Sequence, residues 1–236
     1  QEVIACQQAV ETFIPGIDVA IELGGEDAKI TYFTDGVDQR MNGICAGGTG
    51  AFIDQMAALL QTDAAGLNEL ASRYKMIYPI AARCGVFAKS DIQPLLNEGA
   101  AREDIAASVF QSVVNQTISG LACGKPIRGR VAFLGGPLHY LPELRKRFQE
   151  TLKLTDETAV TPEDGQYFVA MGAALASKRL PATGFQDIIN RLPSLDGERE
   201  PEIQRLTPLF SSPDDLEAFR RRHNRHKVER GNLATY

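Results

Sequence analysis

The chain has 236 residues, of which 44% are hydrophobic and 23% charged, with a net charge of −5 and an isoelectric point near 5.3. This length is enough for one large domain or two small lobes with a buried core. The acidic balance argues against nucleic acid as a partner, because nucleic-acid-binding proteins present a basic surface. No run of about 18 apolar residues occurs, which argues against a membrane span.

The N-terminal segment predicts a helix followed by a β-hairpin. Residues 1–14 place apolar side chains at helical spacing and end before a Pro-Gly pair, which terminates helices. Residues 17–34 contain two β-rich runs separated by Gly24-Gly25. This is the pattern of two antiparallel strands joined by a tight turn.

Helices and one further strand are predicted for the middle of the chain. The helical patterns cover 49–60, 63–74, 90–96, 103–124, 137–152 and 164–178. Asp63 is a good N-cap for the second of these helices, and Pro137 is tolerated in the first turn of the fifth. A short extended segment is expected at 76–82, and a strand at 130–136 enters a Gly-Gly turn.

The composition changes near residue 180. Prolines recur and charged residues dominate, so 181–236 is predicted to be an appended arm or a linker to a following domain. The basic run 219–230 comes directly after a group of acidic residues. We interpret it as a solvated helix face rather than a contact with nucleic acid or an acidic partner.

Three glycine-rich turns follow predicted strands, in the stretches IELGGEDAK, ICAGGTG and FLGGP. Glycine after a strand lets backbone N–H groups approach the oxygens of a phosphate. One such turn is a weak signal, but three in one domain indicate a phosphate-binding protein.

Acidic residues surround the first of these turns. Glu22 ends the strand, and Glu26 and Asp27 come just after the glycine pair. Carboxylates beside a phosphate can hold Mg²⁺, or one of them can orient a water for attack on a γ-phosphoryl group. The alternative is a plain β-turn with solvated acids. Lys29 is expected to pair either with phosphate or with Asp27.

Cys6, Cys45, Cys84 and Cys123 are too few for a disulfide scaffold in this chain, and they indicate a cytoplasmic protein with unpaired thiols. Cys45 and Cys84 each lie beside glycine on a loop before a helix, where the helix dipole and free N–H groups stabilise a thiolate. Because a [4Fe–4S] cluster takes four thiolates, two copies of the domain could complete one cluster across a two-fold axis. The alternative is two small packing residues, which is our interpretation of Cys6 and Cys123.

Taken together, these motifs resemble the activators of 2-hydroxyacyl-CoA dehydratases, a family grouped with the ATPase subunits of benzoyl-CoA reductases. The segments that carry the resemblance are 22–29, 45–50, 83–91 and the pair Gly135-Gly136. The two cysteine motifs are the most specific of them. The likeness extends over about residues 1–180.

The resemblance implies an α/β fold of the acetate and sugar kinase/Hsp70/actin class, with RNase H-like lobes that hold ATP between them, over an ATPase domain at 1–180. It implies a [4Fe–4S] cluster between two copies in a homodimer, or between paired ATPase domains, with Cys45 and Cys84 of each copy as ligands. ATP hydrolysis would then drive one low-potential electron to a partner iron–sulfur dehydratase or reductase.

The resemblance also assigns roles to individual residues. Glu22 and Asp27 are expected to serve catalysis together with Mg²⁺. The residues expected to bind ATP or ADP are Gly24, Gly25, Lys29, Gly47, Gly48, Thr49, Gly50, Gly135, Gly136 and Pro137.

The sequence departs from the family pattern in two respects. No phosphate loop of the family's first strands precedes Gln1, so we expect a piece of a longer protein that does not turn over ATP alone. Glu22, Glu26 and Ala28 stand where small activators usually carry Asp, Gln and Ser, as in large activase-like members. The alternative functions are a cluster-free sugar or acyl kinase, with Asp27 as general base, and a nucleotide-sensing or assembly domain.

Overall fold

The structure is a computed structural model that describes residues 2–34, 36–42, 47–81, 84–195 and 206–227. The chain forms two units, Gln1–Pro181 and Ala182–Tyr236. The first unit contains strands β1 (Val19–Leu23), β2 (Ala28–Tyr32), β3 (Asp38–Met41), β4 (Val131–Leu134) and β5 (Ala159–Val160). Its helices are α1 (Glu2–Phe13), α2 (Gly50–Leu59), α3 (Ala64–Ala71), α4 (Gly85–Asn97), α5 (Arg102–Gln116), α6 (Gly136–Tyr140), α7 (Pro142–Leu152) and α8 (Phe168–Ser177).

The five strands form one mixed sheet in the order β3-β2-β1-β4-β5. The hairpin predicted for 17–34 is confirmed, because β1 and β2 pair antiparallel with Glu22 opposite Lys29. Strands β1, β4 and β5 run parallel, and Glu22 is also in register with Leu134 of β4. The turns that follow β1 and β4 therefore leave the sheet at the same edge.

Alternate side chains of β1 enter two hydrophobic cores, one on each face of the sheet. Val19, Ile21 and Leu23 belong to the larger core, which also contains the fully buried Phe110 of α5. Ala20 faces the smaller core, formed with apolar residues of α1, β4 and α8. Because successive side chains of a strand point to opposite faces, Glu22 lies on the α1 side of the sheet.

Helices α1 and α8 cross at very close range on that side. A Cβ atom added to Gly172 would lie 1.7 Å from the carbonyl oxygen of Ala5, so only glycine fits at this point of α8. The small-residue helix predicted for 164–178 is present as α8, preceded by a single 3₁₀ turn, Gly165–Tyr167. Its backbone thus packs directly on the backbone of α1.

Three predicted helices have different boundaries in the structure. The helix expected from residue 90 begins at Gly85, with Cys84 as its extended N-cap residue. The pattern at 103–124 is divided into α5 and a π-helix, Thr117–Ala122, which ends at the left-handed Cys123. The segment 137–152 is divided into α6 and α7 at Leu141, because a residue before proline disfavours the helical conformation.

The segment predicted as extended at 76–82 does not join the sheet in its described part. Its backbone N–H groups bond instead to side chains of α5: Met76 donates to Asp104 Oδ1 at 3.0 Å, and Tyr78 donates to Ser108 Oγ at 2.8 Å. These side chains take the place of a neighbouring strand. The edge strands β3 and β5, by contrast, were not predicted.

The second unit, predicted as an arm or linker, contains helices α9 (Phe185–Leu195) and α10 (Pro213–Asn224). Ser212 caps α10 by accepting a hydrogen bond from the backbone N–H of Asp215, and acidic residues at its start and basic residues at its end suit the helix dipole. The part of the basic run 219–230 that the structure describes is exposed. None of the described helices is long and apolar enough to cross a membrane.

Candidate functional site

The turn between β1 and β2 is bonded directly to the start of α2. The backbone N–H of Gly50 donates to the carbonyl oxygen of Gly24 at 2.9 Å, and the N–H of Ala51 donates to Gly25 at 2.7 Å. The turn is closed by a bond of 2.7 Å from the N–H of Gly24 to the carbonyl of Asp27. Two of the predicted glycine motifs therefore form one backbone assembly.

The turn after β4 completes this assembly. Gly135 has φ +89, and a Cβ atom there would lie 2.0 Å from the carbonyl oxygen of Leu23. A Cβ atom on Gly50 would lie 3.2 Å from the carbonyl oxygen of Gly24 and 3.4 Å from Cγ of Pro137. The three segments approach one another so closely because glycine carries no side chain at these points.

A cavity of about 440 Å³ opens where these segments meet, within the size range of small-molecule sites. Its described lining residues are Gly25, Glu26, Gly50, Ala51, Ile53, Asp54, Ala64, Gly136, Pro137, Tyr140 and Leu141. Four of the predicted nucleotide-binding residues line it, and Gly24 and Gly135 support it from behind. Ile53, Asp54 and Tyr140 were not singled out from the sequence.

The first part of the loop 47–50 packs against α5. Thr49, at the N-cap of α2, is completely buried. Gly48 has φ +82, and its added Cβ would lie 3.0 Å from Cγ of Gln116 on α5. This part of the loop packs on α5 and holds α2 in place, while Gly50 reaches the cavity.

Glu22 belongs to a polar cluster beneath the turn. Lys29 Nζ lies 3.2 Å from Glu22 Oε1 and 2.9 Å from Glu2 Oε2 of α1, so it pairs with these carboxylates rather than with Asp27. Burial lowers the pKa of Lys29, but the hydrogen bonds and charges of Glu2 and Glu22 outweigh it and raise the pKa above its ordinary value. Lys29 remains charged and holds the Glu22 carboxylate.

Cys6 lies in the same cluster. Burial raises the pKa of its thiol well above the ordinary value, and the charge and hydrogen bond of Glu22 raise it further. Because only a thiolate binds metal or attacks as a nucleophile, Cys6 is suited to neither role. Its prediction as a packing residue fits its place in the smaller core.

The side chain of Asn42 spans the turn from the end of β3. Its Oδ1 accepts a hydrogen bond of 2.8 Å from the N–H of Ala28, and its Nδ2 donates one of 3.1 Å to the carbonyl of Glu26. Asp27 and Glu26 are exposed on the turn that Asn42 braces. No sequence pattern marked Asn42, because its two partners lie on the neighbouring strand and turn.

Cys84 is half-exposed at the N-terminus of α4, and Cys45 lies outside the described residues. A Cβ atom on Gly85 would lie 3.2 Å from Gln55 Oε1 and 3.8 Å from the ring of Phe52, so the start of α4 packs on α2. A partly exposed thiol at a helix N-terminus suits one ligand of an anionic cluster. Within the part of the chain that the structure describes, no three His, Cys, Asp or Glu side chains converge on a metal site.

The mixed sheet with its two glycine turns and adjoining cavity defines one lobe of an ATPase of the acetate and sugar kinase/Hsp70/actin fold class. The chain belongs to the BadF/BadG/BcrA/BcrD ATPase family, whose model matches residues 1–177. The family resemblance and the fold class expected from the motifs are thereby confirmed.

Two curated relatives are similar over most of the chain. The (R)-2-hydroxyglutaryl-CoA dehydratase activating ATPase of Acidaminococcus fermentans is 33% identical over 175 residues, which are 73% of this chain and 65% of the relative. The 2-hydroxyisocaproyl-CoA dehydratase activator of Clostridioides difficile is 30% identical over 71% of this chain and 62% of the relative. The chain thus spans less than two thirds of the length of these relatives.

Two solved structures are similar in fold. Component A of the (R)-2-hydroxyglutaryl-CoA dehydratase from Acidaminococcus fermentans superimposes with a TM-score of 0.67 at 31% identity, over 74% of this chain and 66% of that one. The activator of the 2-hydroxyisocaproyl-CoA dehydratase from Clostridium difficile, solved with bound ADPNP, superimposes with a TM-score of 0.66 at 26% identity. The match covers 78% of this chain and 70% of that one.

Proposed function

We propose that this chain is part of an ATP-dependent activator of a 2-hydroxyacyl-CoA dehydratase or a related iron–sulfur enzyme. The observation that carries the proposal is the cavity at which Gly25, Gly50 and Gly136 meet. The family to which the chain belongs supports it, as do relatives named as activators, one of which was solved with an ATP analogue. We assign the ATPase domain to 1–180 and a connecting arm to 181–236.

ATP would lie in this cavity with its phosphates toward the glycine turn. Asp27 and Glu26 are exposed on the turn, where carboxylate oxygens suit Mg²⁺. Glu22, fixed by Lys29, would orient an attacking water or a metal-bound one. The second lobe that completes an ATP site in this fold class is proposed to come from the remainder of the longer protein.

The cluster would be held by Cys45 and Cys84 of each of two copies, either in a homodimer or as paired domains. When bound, a [4Fe–4S] cluster supplies one-electron transfer at low potential. Cys84 fits as a ligand because it lies half-exposed at the start of a 13-residue helix. Reduced thiols would place the protein in the cytoplasm.

Helix α2 offers a physical connection between the two sites. Its first N–H groups bond to the nucleotide turn, through Gly50 and Ala51, and its residues Phe52 and Gln55 lie against the start of α4 beside Cys84. A shift of the turn on nucleotide binding or hydrolysis would move α2 and, with it, the N-terminus of α4. The surroundings of the cluster sulfurs, which tune its potential, would change as a result.

Iron and acid-labile sulfide content after anaerobic reconstitution tests the proposal. We expect about two irons per chain, half of a four-iron cluster, in the wild type and in the control Cys123→Ser, which changes an exposed thiol at the end of the π-helix. Cys45→Ser and Cys84→Ser should each abolish the iron. Wild type without stoichiometric iron would overturn the activator assignment and leave the cluster-free kinase.

A further inference from the structure

A second cavity, of about 340 Å³, opens at the amino end of the parallel strands. It lies between the loop that joins β2 to β3 and the segment 125–128, which comes before β4. Val19, the first residue of β1, lines it, whereas the glycine turn follows Leu23 at the other end of this strand. The strand has five residues, so its ends are about 13 Å apart. This cavity is therefore separate from the one at the glycine turns.

Tyr32 and Lys125 hold the two sides of this cavity together. Tyr32 of β2 is only 3% exposed, and its hydroxyl donates a hydrogen bond of 3.2 Å to the carbonyl oxygen of Lys125. The ammonium group of Lys125 lies 4.1 Å from the centre of the Tyr32 ring, where the π electrons of the ring attract a cation. The strand thus fixes both the backbone and the side chain of Lys125 at the cavity.

The two cations that line the cavity have different surroundings. Lys125 Nζ donates a hydrogen bond of 2.8 Å to Asp38 Oδ2, and Arg40 NH2 lies 3.4 Å from the same oxygen. These contacts, the hydrogen bond from Lys125 most of all, lower the pKa of Asp38 below its ordinary value. The guanidinium of Arg128, by contrast, makes no hydrogen bond or ion pair with the residues that the structure describes. Arg128 is therefore available to a ligand, while Lys125 is paired.

This arrangement favours a ligand with a single negative charge. A guanidinium binds a carboxylate through two parallel hydrogen bonds. A phosphate monoester carries about −1.5 to −2 charges at pH 7, and the ionised Asp38 in the same cavity repels the additional charge. Val37 and Pro126 line the cavity with exposed apolar surface, which a short hydrocarbon chain can cover.

We propose that this cavity binds a small organic monocarboxylate, with its carboxylate on Arg128 and a short aliphatic chain against Val37 and Pro126. The assignment adds a second ligand site to the chain and does not depend on the nucleotide or the cluster. The competing ligand is inorganic phosphate, held by the charges of Arg128 and Lys125. The two ligands differ because only the carboxylate gains affinity from an aliphatic chain.

NMR titration of the isotope-labelled full chain with acetate, butyrate and hexanoate, at constant ionic strength, tests the proposal. Inorganic phosphate and the uncharged hexanamide are the comparison probes. The variant is Arg128→Gln, which keeps a polar side chain and breaks no contact with the described residues. The control is Arg73→Gln, which changes an exposed arginine that pairs with Glu69 and does not line the cavity. Circular dichroism verifies that both variants are folded.

We expect the affinity to rise from acetate to hexanoate by up to about fourfold for each methylene group. Hexanamide should bind about tenfold more weakly than hexanoate, and Arg128→Gln should lose hexanoate affinity by a similar factor, because each lacks the charge-assisted hydrogen bonds. Arg73→Gln should bind as the wild type does. The shifted amide signals should be those of Val37 and Arg128.

Tighter binding of phosphate than of hexanoate, or an affinity independent of chain length, overturns the proposal in favour of a simple anion site. Wild-type affinity in Arg128→Gln, shifts confined to other parts of the chain, or no binding of hexanoate overturns it as well. None of these results bears on the proposed function, since the titrations contain neither nucleotide nor iron.

Discussion

Gly135 packs directly against the carbonyl oxygen of Leu23, and this contact joins the turn after β4 to the end of β1. A Cβ atom at position 135 would lie 2.0 Å from that oxygen, and the backbone there has φ +89. Both the contact and the conformation exclude a side chain.

Substitution of Gly135 by alanine should therefore destabilise the fold. We expect a loss of roughly 3 kcal/mol in the free energy of unfolding, from the strained backbone and the overlap with Leu23 together. Gly136→Ala is the matched control, because a Cβ atom at Gly136 meets nothing within 4 Å. Urea unfolding measures both, and equal stabilities of the two variants would contradict the contact.

Lys29 should contribute to stability in a pH-dependent way. It is buried between Glu22 and Glu2, and Lys29→Met would leave the Glu22 carboxylate without its partner, at a cost of about 3 kcal/mol. Glu2 is 53% exposed at its side chain, so Glu2→Gln should cost much less.

The sign of the pH dependence follows from the raised pKa of Lys29 in the folded state. The stabilisation is complete below the unfolded-state pKa of about 10.4 and is lost as the pH rises through the higher folded-state pKa. The difference in unfolding free energy between wild type and Lys29→Met should be constant near pH 8 and shrink above about pH 10.4. A difference that grows with pH in this range would contradict the ion pair.

Cys6 should resist alkylation in the folded protein. It is buried and its pKa is raised by burial and by Glu22, so almost no thiolate forms at pH 8. Cys123 is exposed and serves as the internal control. We expect iodoacetamide to modify Cys123 in native buffer and Cys6 only after urea is added, as read by peptide mass spectrometry. Equal rates for both in native buffer would refute this picture.

The side chain of Asn42 should hold the conformation of the turn between β1 and β2, with a smaller effect on the stability of the whole fold. Asn42→Ala removes the bonds to Ala28 and Glu26, and we expect a loss of about 1–2 kcal/mol in stability together with weaker ATP binding. Asn97→Ala changes a surface amide of α4 that accepts a hydrogen bond from the side chain of Gln93, and this variant should leave both properties unchanged. Thermal unfolding and calorimetry measure them, and an Asn42→Ala variant with wild-type ATP affinity would show that the brace is dispensable.

The glycine turns were predictable because glycine itself marks them. The stretches after β1 and β4 each carry two glycines, and the structure places them at one edge of the sheet. The hairpin was predictable for the same reason, since its turn separates two β-rich runs. These features are encoded by residues close to one another in the chain.

The features that were missed depend on partners distant in sequence. Lys29 pairs with Glu2, 27 positions away, and neither residue type nor spacing predicts this pair. Helix α4 was expected to begin later because its N-cap is Cys84, which is not among the usual capping residues. The short edge strand β3 has three polar residues followed by the exposed Met41, and it lacks the apolar alternation that marks a strand.

The link between the nucleotide turn and α2 has a consequence for how it can be probed. It consists of two bonds between main-chain atoms, from the N–H groups of Gly50 and Ala51 to the carbonyls of Gly24 and Gly25. Every amino acid except proline supplies the same donor at position 51. The side chain at position 51 can therefore change without loss of these hydrogen bonds. Alanine substitutions in this region would leave the two main-chain bonds intact and would not reveal their contribution.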